Sequence, residues 1–151
     1  MSFKSALIHN VFMLRWCEHE AGDSARVVEA VGRAKAQYGA PIVYVAIAPN
    51  DVPPPTENLR TEMAEALDRL LVHCCCVHLV IEASGFRGVV VRAAATGMFM
   101  VSGKRGRVSP HASVEDALSS CEHLAAPKSV ILKSAMNQGL LVGGPAMRSV
   151  V

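Results

Sequence analysis

The 151-residue chain predicts a single layered α/β domain, a mostly parallel sheet of four to five strands with flanking helices. Two observations carry that prediction. Segments rich in β-branched residues alternate with segments whose apolar residues recur at helical spacing, and one of the former, "PIVYVAIAP", is apolar almost throughout. A strand of that kind is buried on both faces, as in a parallel sheet covered by helices on either side. At this length a single core removes roughly 70% of the unfolded chain's surface from water, so no disulfide or metal is needed for stability.

The first strand is expected over Ala6 to Trp16, "ALIHNVFMLRW", a segment rich in β-formers. A helix follows, with Val27, Val31, Ala34 and Tyr38 on one face, Asp23 or Ser24 as its cap, and Gly39 with Pro41 as its stop. "PIVYVAIAP" then takes the centre of the sheet. In "NDVPPPTENLRTEMAEALDRLLVH" three prolines rule out a strand and present Thr56 as the cap of a helix with Leu59, Met63, Leu67, Leu70 and Leu71 in one stripe. The next strand, "CCVHLVIEA", follows with almost no loop. "SGFRGVVVRAAATGMFMV" is rich in valine, yet a strand there would leave no crossover between two parallel neighbours, so a helix is expected. "GRVSPH" is a short fourth strand, "SVEDALSSCEHL" a helix capped by Ser113 with Asp116 three residues on, and a last helix starts near Pro127. The domain is expected to span residues 1–139, with 140–151 as a C-terminal tail.

Composition narrows the function classes. A charged fraction of 19% and a mean hydropathy of +0.29 leave apolar surface for a partner, with "MFMV" (Met98 to Val101) and "GLLVGG" as candidates, so a homo-oligomer or a protein complex is expected. A net charge of +2 is too balanced to point to nucleic acid. No apolar run approaches the roughly 18 residues that cross a bilayer, and the N-terminal segment is broken by His9, Asn10 and Arg15, so neither a membrane span nor a signal peptide is expected. Five cysteines, an odd number, fit a reducing, cytoplasmic compartment.

"HCCCVHLVIE" sets three consecutive cysteines between two histidines. On a regular strand Cys74, Cys76 and His78 would face one way and Cys75, Val77 and Leu79 the other. Neighbouring positions on one strand rarely converge as a tetrahedron, and no CxxC pair stands elsewhere to complete a zinc site. The cysteines are therefore read as small apolar side chains in a buried strand, with no metal and no cofactor; a redox pairing with Cys17 or Cys121 is the alternative.

"VIEASGFRGVVVR" is the informative stretch. Strand ends and helix N-termini converge at the C-terminal edge of a parallel sheet, where free N–H groups attract anions. Ser84 is placed to cap the helix, Gly85 and Phe86 to face a partner, and Arg87 and Arg92 to hold a phosphate or carboxylate. A strand running into Ser-Gly-Phe and a helix resembles the strand–Ser/Thr-Gly-Leu–helix element of STAS domains, the fold of anti-sigma-factor antagonists. "VSPHASVEDAL" is similar to the closing strand and helix of the same domains, and "GFR" to small STAS-like bacterial proteins of an uncharacterised subgroup. The resemblance spans residues 77–120. It implies a STAS-like, non-enzymatic interaction domain in signalling or regulation, with Ser84 at the position that a partner kinase phosphorylates. Ala83 stands where the kinase substrates usually have aspartate, and the stretch before "SVEDAL" is too short for the usual extra strand and helix.

"SGKRGRVS" lacks the Walker pattern, because five residues separate Gly97 from Gly103 and Arg105 replaces the Ser or Thr after the lysine. Lys104, Arg105 and Arg107 form a basic turn that an acidic partner or an anion would engage. His111 is the histidine placed to share a surface with Ser84. Three readings result: a protein-binding regulatory or scaffolding domain acting through Ser84 to Arg87; a small-ligand or anion-binding domain using the same helix N-terminus and basic turn; and a hydrolase with a Ser or Cys nucleophile, for which no base is evident.

Overall fold

The computed structural model describes residues 2–53, 56–101 and 106–142, with the backbone alone over 94–101. One five-stranded mixed sheet, in the order β1-β2-β3-β4-β5, is built from Phe3–Ile8, Val11–Trp16, Ile42–Ala48, Cys74–Ile81 and Val108–His111. The described helices are α1 (Asp23–Tyr38), α2 (Glu57–His73), α3 (Gly85–Val101), α4 (Val114–Ser119) and α5 (Lys128–Asn137). Strands β2 to β5 pair in parallel and β1 pairs antiparallel with β2. None of the described helices is long and apolar enough to cross a membrane.

The segment expected to be a single first strand is a hairpin instead. Ile8 pairs with Val11 across a two-residue loop, His9-Asn10, in which His9 takes a φ of 52°. Tight hairpins need positive φ at the loop, and the sequence offers no Asn-Gly or Asp-Gly there to announce it. The remaining elements lie where periodicity and punctuation place them, with "PIVYVAIAP" on the central strand β3. Thr56 caps α2, its Oγ1 accepting from the Leu59 N–H at 3.4 Å, and Ser113 caps α4 by accepting from the Asp116 N–H at 3.1 Å. Neither Asp23 nor Ser24 caps α1. Gly22 holds that position in the left-handed conformation, and Asp23 instead accepts from the Glu20 N–H at 2.9 Å.

Each face of the sheet has its own core. Phe12, Leu14, Tyr44, Ala46 and Val77 pack against Val27, Val31 and Ala34 of α1 and against Ala66 and Leu70 of α2. On the opposite face Val11, Met13, Val43, Val45 and Val80 meet Val114, Ala117 and Leu118 of α4, Ile131 and Ala135 of α5, and Leu140. Leu140 is fully buried, so the packed chain continues past the expected boundary at 139; residues 143–151 of the expected tail lie outside the described residues, as do the "MFMV" side chains.

Two polar anchors tie the second core to the sheet. Asn10, 2% exposed, donates to the Pro41 carbonyl at 3.0 Å and the His123 carbonyl at 2.6 Å, and its Oδ1 accepts from the Ala125 N–H at 2.9 Å. Arg15 grips Glu82 through two hydrogen bonds, at 3.1 and 3.0 Å, and donates to the Leu140 carbonyl at 3.3 Å. Replacing Asn10 by Ala removes the partner of one N–H and two carbonyls that hold this loop to the sheet, so Asn10→Ala is expected to lower stability by about 1–3 kcal/mol in urea titration. Asn10→Asp should recover little of that loss, because its carboxylate still accepts from Ala125 but faces two carbonyl oxygens.

Candidate functional site

The C-terminal ends of β3 and β4 open into a cleft of about 260 Å³ on the face that carries α1 and α2. Its floor is Ala46, Leu79 and Ile81, its walls are Trp16 and Met63, and the Pro49–Pro53 loop borders it. Arg87 and Val91, one turn apart on α3, close the remaining side. His19 stands at the rim with its ring 4.9 Å from that of Trp16. Burial lowers the His19 pKa, with Asp23 opposing the shift, so the cleft favours a neutral imidazole.

The outer side of the first turns of α3 is apolar and wet. Phe86, Val89 and Val90 are 84%, 59% and 48% exposed, and their i, i+3, i+4 spacing aligns them in one stripe beside the cleft. Ser84 is exposed too. Among the described residues its hydroxyl has no hydrogen-bond partner, so the expected side-chain cap does not form; only its carbonyl joins the helix, accepting from the Gly88 N–H at 3.3 Å. Gly85 occupies a φ of 65°, which turns the chain from strand into helix and explains its need for glycine better than contact with a partner does.

The expected cationic group is dispersed. Among its described residues, only Arg87 lines the cleft. Arg92 donates to the carbonyls of Ile81 at 2.9 Å and Ala83 at 3.0 Å, stitching α3 to the end of β4. Arg107 lies at the opposite end of the sheet, where it donates to the carbonyls of Leu71 at 2.7 Å and Cys74 at 3.0 Å at the C-terminus of α2, so it cannot share a site with Ser84. Lys104 and Arg105 lie outside the described residues. Glu82, the acid nearest Ser84 in sequence, is taken by Arg15.

A second cluster forms on the α4 and α5 face. The pairing register slips between Ile42 and Val43, so that Ile42 lies opposite Cys74 and Val43 opposite Cys76. Cys75 is the extra residue of a β-bulge, and alternation resumes one position late. Cys74 therefore packs with Val77 in the first core, while Cys76 and His78 face the second; the expected grouping of Cys74 with Cys76 and His78 is not formed. Cys121, just beyond α4, comes to meet them, and ligand atoms of Cys76, His78 and Cys121 all lie within 4.8 Å of one another. On β5, His111 Nε2 lies 2.9 Å from His78 Nδ1, and Ser109 Oγ contacts both rings, at 2.9 and 3.2 Å. His111 thus pairs with His78 rather than with Ser84. Interaction between the two thiols drives them apart, Cys121 below the ordinary thiol range and Cys76 above it.

No family model matches this chain, and neither curated proteins nor solved structures give a significant match.

Two outcomes follow from this geometry. A Cβ added at Gly88 would stand 1.9 Å from the Ala83 carbonyl oxygen, so Gly88→Ala should push α3 off the end of β4 and cost about 1–3 kcal/mol, seen as faster amide exchange through α3. The second concerns acid. His111 is depressed below its ordinary value of 6.5, first by burial and then by His78, against the pull of Asp116. The folded chain therefore resists a proton that the unfolded chain accepts, and this contribution is complete above 6.5 and lost as pH falls below it. The urea midpoint should drop between about pH 7.5 and about pH 5.5, and His111→Asn should flatten part of that drop.

Proposed function

We propose that this protein is a non-enzymatic regulatory or scaffolding domain that binds a protein partner through the exposed face of α3 and the strand–helix junction at Ser84 to Arg87. The stripe of Phe86, Val89 and Val90 carries the reading: three large apolar side chains left in water on one helix face, beside a cleft, mark a surface built to be covered. Arg87, exposed at the boundary between stripe and cleft, suits an acidic group of the partner. The resemblance of residues 77–120 to STAS domains points the same way, toward a bacterial, cytoplasmic signalling role, either with another protein or with a second copy of this chain. Ser84, whose hydroxyl is exposed and unbonded, accommodates a phosphate without disturbing the core. Its charge would lie near Arg87 and alter what the partner meets. The cleft itself favours a second reading, a small anionic ligand held between Arg87 and His19.

Phe86→Ser and Arg87→Ala should keep the parent's circular dichroism and thermal midpoint while weakening partner capture or self-association at least about tenfold. Ser84→Asp should also weaken binding. Ser84→Ala should leave stability within about 0.5 kcal/mol, since no cap is lost. If both the Phe86 and Arg87 variants assemble and bind as the parent does, the α3 face is not the docking surface.

A further inference from the structure

We propose that Cys76, His78 and Cys121 form a binding site for a zinc ion, with three protein ligands and a water in the fourth position. Zinc bonds of about 2.3 Å to sulfur and about 2.0 Å to nitrogen place ligand atoms under about 4 Å apart. The three ligand atoms here lie within 4.8 Å of one another, so a small contraction completes the set.

His78 supplies the independent observation. Its side chain is 5% exposed, and Nε2 is buried with no hydrogen-bond partner among the described residues. A buried ring nitrogen without a partner is an uncommon thing for a folded protein to keep, and here it belongs to the histidine that faces two sulfurs. The opposite nitrogen is well supplied, since Nδ1 meets His111 Nε2 at 2.9 Å and Ser109 Oγ at 3.2 Å. With its proton on Nδ1, given to His111 or Ser109, the ring presents the Nε2 lone pair to the two sulfurs, as an outer partner orients a metal-binding imidazole. Cys76 and Cys121 are half-buried rather than sealed, so an ion has a route in.

Binding balances simply. The ion takes both sulfurs as thiolates and the imidazole neutral, so every thiol proton still held leaves to solvent as zinc binds. Cys74 is excluded although it is adjacent in sequence, because the bulge turns it into the other core, where its thiol donates to the Leu70 carbonyl at 2.9 Å.

The test uses the whole chain, reduced and stripped of metal, titrated with cobalt(II) and then with zinc(II) against a chromophoric chelator. The parent should take up about one ion per chain and show thiolate-to-cobalt charge transfer with the visible bands of a four-coordinate site. Cys76→Ser, Cys121→Ser and His78→Ala should each weaken zinc at least about 100-fold, and His111→Phe about 10-fold to 100-fold as the outer partner of His78. Cys74→Ala should bind as the parent does. A reduced parent that takes up no stoichiometric ion, or one whose Cys76 and Cys121 merely close into a disulfide on exposure to zinc and air, overturns the proposal. So does a Cys74 variant as impaired as the Cys76 variant. Should a ligand variant fail to fold, alkylation of the unmutated chain decides: zinc must slow modification of Cys76 and Cys121 and leave exposed Cys17 unchanged, and equal rates with and without zinc overturn the site.

Discussion

Strands β2, β3, β4 and β5 are added to the sheet in one direction, and the fixed hand of parallel crossovers then puts every connecting helix on the same face. The other face of β3 is just as apolar, with Val43, Val45 and Ile47 all fully buried, and it would be left in water by the crossovers alone. The chain covers it after the last strand is laid down, with α4, α5 and Leu140. These are short elements of six and ten residues, marginal as isolated helices. Their position is therefore set by burial and by the polar anchors that Asn10 and the Arg15–Glu82 pair provide.

Both sites follow from that two-sided arrangement. On the crossover face, α3 is the last helix and leads to the edge strand β5, so no further crossover helix covers its outer side and Phe86, Val89 and Val90 remain in water. On the other face, the chain leaving α4 lowers Cys121 onto β4, where the bulge has turned Cys76 and His78 outward to meet it. Strand β4 serves the two sites through opposite faces. Its end floors the cleft through Leu79 and Ile81, and its middle presents the sulfur and nitrogen atoms to α4.

Much of this was legible in the sequence because it depends on local periodicity and punctuation. The continuous apolar run of β3, the Thr56 and Ser113 caps, and the helical reading of a valine-rich α3 rest on physics that operates within a few residues. What was not legible depends on pairing. The hairpin at His9-Asn10 carries no glycine to signal its positive φ, and the dispersal of Arg92 and Arg107 depends on which backbone carbonyls the finished fold leaves unpaired beside them. The cleft position of Arg87 could be read from the strand–helix junction; the stripe beside it required knowing that, among the described residues, no element packs over the first turns of α3.

The cysteine run shows why composition alone misjudges such a segment. A regular strand would have grouped Cys74 with Cys76, and one inserted residue reverses that, because side chains on a strand alternate with a period of two. Three identical neighbours then meet three different environments. Burial pushes the Cys74 thiol up to about 12, and its donation to the Leu70 carbonyl suits an inert core residue. Cys75 lies on the bulge and donates to the Ile42 carbonyl at 3.4 Å, the partner that the broken ladder leaves nearby. Cys76 meets the Cys75 sulfur at 3.7 Å and lies beside the Cys121 sulfur and the His78 imidazole. The reading of these residues as small apolar side chains fits Cys74, buried in the first core, while Cys76 packs half-buried against the second, and what separates them is the bulge rather than the residue type.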